Sequence, residues 1–141
     1  MNKLLCRSLL VCIFSVLISC NNKREMMLVK RWYVADVMFE KQKNNYMSKD
    51  SINEERQLAI LKDVLTKNLY EFKENGTYVT GNITGNVGGK WNLNAESITL
   101  KSDNKTEKEI PIEHLSEDSL VLLFNNDQTS VKLHLILKPV Q

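Results

Sequence analysis

Eight short stretches of this chain alternate apolar and polar residues with a period of two, and tight-turn residues separate them. Successive side chains of a strand point to opposite faces, so each stretch has one face to bury and one to leave in water. The first, Leu28 to Phe39, is rich in β-branched and aromatic residues (Val29, Trp32, Tyr33, Val34, Val37, Phe39). Tyr70 and Phe72 alternate with Glu71 and Lys73, and Asn75-Gly76 then supplies a strong hairpin signal. A strand near 77–83 is turned by Thr84-Gly85-Asn86. Trp91 with Leu93, Ile98 with Leu100, Ile110 with Ile112, Leu120 with Leu122 and Phe124, and Val131 with Leu133, Leu135 and Leu137 complete the set. Short, turn-linked, alternating strands in this number predict an all-β fold, a small eight-stranded up-and-down barrel.

One segment breaks the pattern. Ser51-Ile52-Asn53-Glu54 has the form of a capping box, and Leu58, Leu61, Val64 and Leu65 then recur at helical spacing. This predicts one amphipathic helix over 51–67, inserted after the first strand. Strand 119–124 is apolar on both faces, because Val121 and Leu123 point away from Leu122, and the helix stripe is the available cover. Pro111 cannot donate to a ladder, so its strand is either an edge, which leaves the barrel incompletely closed, or carries a bulge. Gly88-Gly89, with no helix following, reads as a turn and not as a phosphate cradle.

The N-terminal 20 residues are a processing segment. Lys3 and Arg7 precede an apolar run from Leu9 to Ile18, which is too short for a span of about 20 residues. The run ends in Leu17-Ile18-Ser19-Cys20, which resembles the lipobox of bacterial lipoproteins. The resemblance implies lipid on the Cys20 sulfur, cleavage before it and acylation of the new amino terminus. A cysteine suits that role because its thiolate is the nucleophile. The expected division is a signal peptide over 1–19, a lipidated cysteine and short tether over 20–27, and a barrel domain over 28–141. Cys6 and Cys12 leave with the signal, so no disulfide is available and stability rests on burial. Removing Lys3 and Arg7 from the 19 basic residues leaves 17 against 17 acidic ones, with no basic stripe for nucleic acid. Asn21 after the cysteine favours the outer membrane over retention at the inner one, and the absence of an acidic run favours its periplasmic face.

Several motifs together resemble the lipocalin-like domain of bacterial lipoproteins. They are Lys30-Arg31-Trp32, the hairpin Tyr70 to Thr77, Gly88-Gly89-Lys90-Trp91-Asn92-Leu93, and the closing Leu115, Leu120 to Phe124 and Leu133-His134-Leu135. The likeness runs over about 28–138. It implies a small barrel that takes up a small apolar molecule, with Trp32 and Trp91 turned inward.

Catalytic chemistry has little to stand on. His114 lies in a polar Glu-His-Leu-Ser-Glu loop and His134 on the polar face of the last strand, and a zinc site needs three or four clustered ligands. No Ser-His-Asp set has a credible context, so neither an enzyme, a metal site nor a cofactor is expected. Asp36 is the polar residue of interest. With Trp32 inward, strict alternation carries Val34, Asp36 and Met38 inward too, and a carboxylate inside an apolar barrel would have a raised pKa. A wet position near the rim, or the opposite register, is the alternative. Asp50-Ser51-Ile52 and Asp118-Ser119-Leu120 also resemble a three-residue O-glycosylation signal, although Ser51 already has a role as a helix cap.

Two function classes follow: a membrane-anchored barrel that binds a small apolar ligand, or a structural or protein-interaction lipoprotein whose barrel is filled by its own side chains. Eight strands enclose just enough room for either. The anchor itself is directly testable. Cys20→Ser should abolish incorporation of labelled fatty acid, and a variant that still takes up label would place the lipid elsewhere.

Overall fold

The computed structural model describes residues 23–41, 51–82, 85–125 and 131–141. A helical turn over 23–28, here α1, leads into strand β1 (Arg31–Lys41). Helix α2 (Ser51–Leu65) follows, then β2 (Leu69–Phe72), β3 (Thr77–Asn82), β4 (Gly85–Leu93), β5 (Ser97–Ser102), β6 (Glu107–Leu115), β7 (Leu120–Asn125) and β8 (Val131–Pro139). The eight strands pair antiparallel in sequence order and close into a barrel, with β8 returning to β1. Closure removes both sheet edges, which are otherwise templates for association. The β1–β8 ladder that makes the closure runs from Trp32↔Pro139 to Lys41↔Val131.

Connectivity divides the barrel into two unlike ends. The β2–β3, β4–β5 and β6–β7 turns lie at the end where β1 begins, and α1 packs there. Leu28 is fully buried, Arg24 donates to the carbonyls of Asn94 (3.3 Å) and Ala95, and Lys30 donates to the Glu117 carbonyl (2.9 Å). Segment 23–28 is therefore helical and seated on the barrel floor. The β3–β4, β5–β6 and β7–β8 connections and α2 belong to the opposite end, here the mouth.

Two bulges correct the register that strict alternation predicts. On β1, Val34 faces Leu137 but Asp36 faces Ile136, so one extra residue is absorbed between them. The inward series becomes Trp32, Val34, Val37 and Phe39. Asp36 and Met38 are turned outward, and Met38 is 52% exposed. On β6 the register with β7 shifts between Ile112 and His114. Ile112 N–H donates to the carbonyl of Glu96, the residue before β5 (2.8 Å), so by alternation the Pro111 nitrogen is aimed at β7. The missing donor is thus withdrawn from the β6–β7 ladder, where the irregularity occurs. Pro111 itself pairs only with Ser97 of β5, the register irregularity follows it between Ile112 and His114, and the barrel is closed.

Helix α2 ends at Leu65 and packs against β1, not over β7. Its barrel-facing side is centred on Leu58, Lys62 and Leu65, one stripe at i, i+4 and i+7. Lys62 forms a 2.6 Å ion pair with the outward Asp36, Leu58 and Leu65 are half-buried, and Leu61 and Val64 are exposed. The ion pair orients the helix, so the apolar stripe is split and does not cover Val121 and Leu123. Those two are half-buried beside Ile136 and His134 of β8. The capping side chains Ser51 and Glu54 and the turn residue Thr84 lie outside the described residues. Gly88 and Gly89 are not a turn but the middle of β4. A Cβ on Gly89 would stand 2.1 Å from the Lys101 carbonyl oxygen, so only glycine allows β4 and β5 to approach so closely here.

The β2–β3 hairpin depends on Gly76, whose φ of 76° is left-handed. Lys73 N–H donates to the Thr77 carbonyl (2.9 Å), and the Asn75 carboxamide accepts from Thr77 N–H (3.1 Å). A Cβ at Gly76 would meet almost nothing, so the cost of substitution is conformational. Gly76→Ala should destabilise the domain by about 1–2 kcal/mol in urea unfolding. An unchanged midpoint would mean that the turn relaxes to another geometry.

Candidate ligand-binding site

The inward face is apolar and its packing is graded from floor to mouth. At the floor Leu28, Trp32, Phe72, Ile98, Ile110, Leu120 and Leu137 are buried. Trp32 is tied down by its indole N–H, which donates to the Leu28 carbonyl (2.9 Å), and the Lys30 ammonium lies 5.2 Å from its ring centroid. Moving up β8, Leu137 and Leu135 are buried but Leu133 only half-buried; on β7, Leu120 and Leu122 are buried but Phe124 only half. Val87, which faces Thr80 on the inner side of β4, is 50% exposed. Side chains aimed into a solidly filled barrel would be covered along its whole length. Here burial is fuller at the floor than on the upper wall.

Trp91 also points inward, beside Leu100 in register. It sits near the floor and is half-buried, edge-on to Phe72 at 6.1 Å with an interplanar angle of 85°, and its indole N–H donates to the Lys73 carbonyl (3.1 Å). Both tryptophans therefore belong to the packed half and not to the open mouth. Asp36 lines nothing. Its carboxylate, held by the Lys62 ammonium and by Val37 N–H (2.8 Å), lies below the ordinary aspartate range, opposite to the rise that burial would cause. Cys20 lies outside the described residues.

Three polar groups stand on the inner wall: Tyr70, which alternation already turns inward with Phe72, and two that sequence reasoning passed over. Tyr70 faces Thr80 across β2–β3, and Tyr78 is the neighbouring inward residue, facing Phe72. Burial pushes the Tyr70 phenol up, opposed by its hydrogen bond with Thr80 and reinforced by Tyr78. Tyr78 is raised as well, by burial and then by the charge of Asp103. The third group is Lys108, which faces the inward Leu100 across β5–β6 and holds its ammonium 4.7 Å from the Phe124 ring centroid. Its signal was available: counting back in twos from Ile112 and Ile110 reaches Lys108.

The family model for the lipocalin-like domain matches residues 28–122. The chain belongs to the lipocalin-like domain family. Its barrel resembles a lipocalin-like protein from Bacteroides uniformis at 12% identity and a TM-score of 0.52, over 81% of this chain and 99% of that one. It is also similar to a duf4847 family protein from Bacteroides vulgatus at 14% identity and a TM-score of 0.49, over 82% and 95% of the two chains. No curated protein matches the chain. This lipocalin-like domain thus shares its fold with the Bacteroides uniformis protein, at an identity that speaks for the fold alone.

Outside the lipocalin-like barrel, a charged cluster joins β1, β6 and β8. His134 Nδ1 lies 2.7 Å from Glu113 and its Nε2 lies 3.3 Å from Glu40, with the ring only 14% exposed. Both ring nitrogens face carboxylates, which only the imidazolium can satisfy as a double donor. Its pKa is raised, first by the Glu113 hydrogen bond, against the effect of burial. Among the described residues no group of three His, Cys, Asp or Glu side chains is arranged to hold a metal ion. A raised folded pKa makes the cluster stabilising below the unfolded histidine value of about 6.5, with the gain lost as pH rises through the folded value. His134→Gln should therefore lower the melting temperature most at acidic pH and least at alkaline pH. A deficit that is constant with pH would assign the residue a packing role only.

Proposed function

We propose that this protein is a lipid-anchored envelope lipoprotein whose barrel takes up a small apolar ligand through its mouth. The observation that carries the ligand reading is the graded packing: the floor is closed by Leu28 and Trp32, while Leu133, Phe124 and Val87 at the mouth keep apolar surface in water. Small-molecule sites are concave, mostly apolar and equipped with a few polar groups, and Tyr70, Tyr78 and Thr80 supply such groups on the wall. Membership of the lipocalin-like family supports the same reading. Binding, and not catalysis, is the role proposed.

The anchor reading rests on Leu17-Ile18-Ser19-Cys20 behind its apolar run. Outer-membrane attachment on the periplasmic side follows from Asn21 and from the lack of an acidic run after the cysteine. The fold adds an orientation to this reading. Leu28 is buried in the floor eight positions after Cys20, so an anchored barrel would stand with its floor against the bilayer and its mouth away from it. Ligand would then enter from the aqueous side.

The chain from Asn21 onward contains every strand of the closed barrel and all of its core, and it is the form to test. N-phenyl-1-naphthylamine, an uncharged apolar fluorophore, should show a saturable rise in emission near one molecule per chain. At about 100 times its Kd it should raise the melting temperature by about 10 °C. Neither response, extended to a panel of apolar probes, would sink ligand uptake. The packed floor would then be the whole story, and the domain a structural or protein-interaction lipoprotein.

A further inference from the structure

Helix α1 has two unlike sides. Leu28 is fully buried in the floor and Arg24 donates to the carbonyls of Asn94 and Ala95, so one side is committed to the barrel. Met26 precedes Leu28 by two residues, about 200° of helical rotation, and therefore points the other way. It is 76% exposed, more than any other large apolar side chain among the described residues. Lys23, three positions earlier, shares that side and is exposed too. Val29 N–H closes the turn on the Glu25 carbonyl (2.9 Å), so a fixed backbone carries both side chains.

A lone methionine on a surface needs no partner. This one is set apart by what precedes it. Only Asn21 and Asn22 separate Cys20 from Lys23, three residue steps that reach at most about 11 Å at full extension. A lipid on Cys20 would therefore hold the bilayer within about one helix diameter of α1. Charge does not draw this end onto a membrane, because the floor turns beside α1 carry Glu74, Glu96, Glu117 and Asp118 against Lys73. What α1 offers instead is a methionine to enter the boundary between head groups and acyl chains, and an ammonium to meet a phosphate.

We infer that the side of α1 bearing Met26 and Lys23 is a membrane-contact surface, docked on the phospholipid bilayer that holds the Cys20 lipid. The contact presupposes the anchor reading proposed above and adds to it the residue that enters the bilayer. One methionine is too little apolar surface to bring a free domain to a membrane. A tether this short raises the effective concentration of the bilayer so far that a weak contact is occupied most of the time. The docked floor then fixes the tilt of the barrel, which a flexible tether alone would leave free.

The test uses the full chain, processed and lipidated, in phosphatidylcholine vesicles, with a nitroxide on Met26→Cys or, at the mouth end, on Asn86→Cys. Both labels replace exposed side chains, so neither disturbs the core. The label at 26 should collide preferentially with oxygen, which concentrates in lipid, and the label at 86 with a water-soluble nickel chelate. One apolar side chain favours the docked form about tenfold, so nickel collisions at 26 should fall about tenfold below those at 86. A label on Lys23→Cys should in turn lose its lipid collisions when Met26→Asp is added, and their retention overturns the role given to Met26. A label at 26 as open to nickel as the one at 86, on chains that remain on the vesicles, overturns the docked surface and leaves the anchor standing. Dipolar broadening at 26 that vanishes on dilution with unlabelled chain places a second copy on this face and overturns it too. Chains that carry no lipid and stay off the vesicles overturn the anchor reading and this surface with it.

Discussion

The ladder between the first and last strands governs this molecule. Without β1 against β8 the sheet would have two edges and an inner face open to water. With it, every strand has a partner on each side and the alternate residues of all eight strands meet in one core. That single requirement accounts for both bulges. A barrel of fixed strand number needs a particular stagger and tilt, and β1 meets the requirement by absorbing one residue between Val34 and Asp36. Everything beyond that point on β1 is read on the opposite parity, so Val37 and Phe39 take the inward positions and Asp36 is released to the helix.

This explains which parts of the fold were legible in the amino-acid order and which were not. The strands, their number, the helix after the first of them and the closing order follow from period-two and helical patterning, because those patterns report which faces are wet. The parity change on β1 leaves no comparable trace. Ala35 and Asp36 are poor strand formers, but low propensity does not locate a bulge, which is imposed here by closure and not by local chemistry. The helix failed in the same way. Leu58, Leu61, Val64 and Leu65 signal a helix with an apolar side, but its rotation is fixed by Lys62 finding Asp36, a partner whose outward aspect depends on the unseen bulge. One hidden residue thus misplaced a candidate pocket group and the cover assigned to β7.

For the site, the residues that attract notice in a sequence are aromatic, and both tryptophans turned out to plug or brace the floor. The polar groups of the inner wall are less conspicuous: two tyrosines, a threonine and a lysine set between two glutamates. Lys108 was readable by parity, since β6 carries no bulge between Ile112 and Glu107. The difference in burial between floor and mouth was not readable, because Leu133 and Leu137 are the same residue in the same pattern. Only the connectivity, which gathers α1 and three tight turns at one end, distinguishes them.

The ordering of the strands also has a consequence in time. Neighbouring strands from β2 to β8 are joined by turns of a few residues and can zip locally, but β1, which meets β2 only over Arg31–Tyr33, must wait for its main partner about a hundred residues further along the chain. Loop closure of that length contributes a slow, entropy-limited step, and topologies dominated by such pairings fold in milliseconds to seconds. Until the final segment arrives, the outer edge of β1 stays unpaired and Trp32 has half of its lid missing. A nascent chain therefore passes through a stage with an adhesive edge, and its safety depends on how promptly the last nine residues of sheet are delivered.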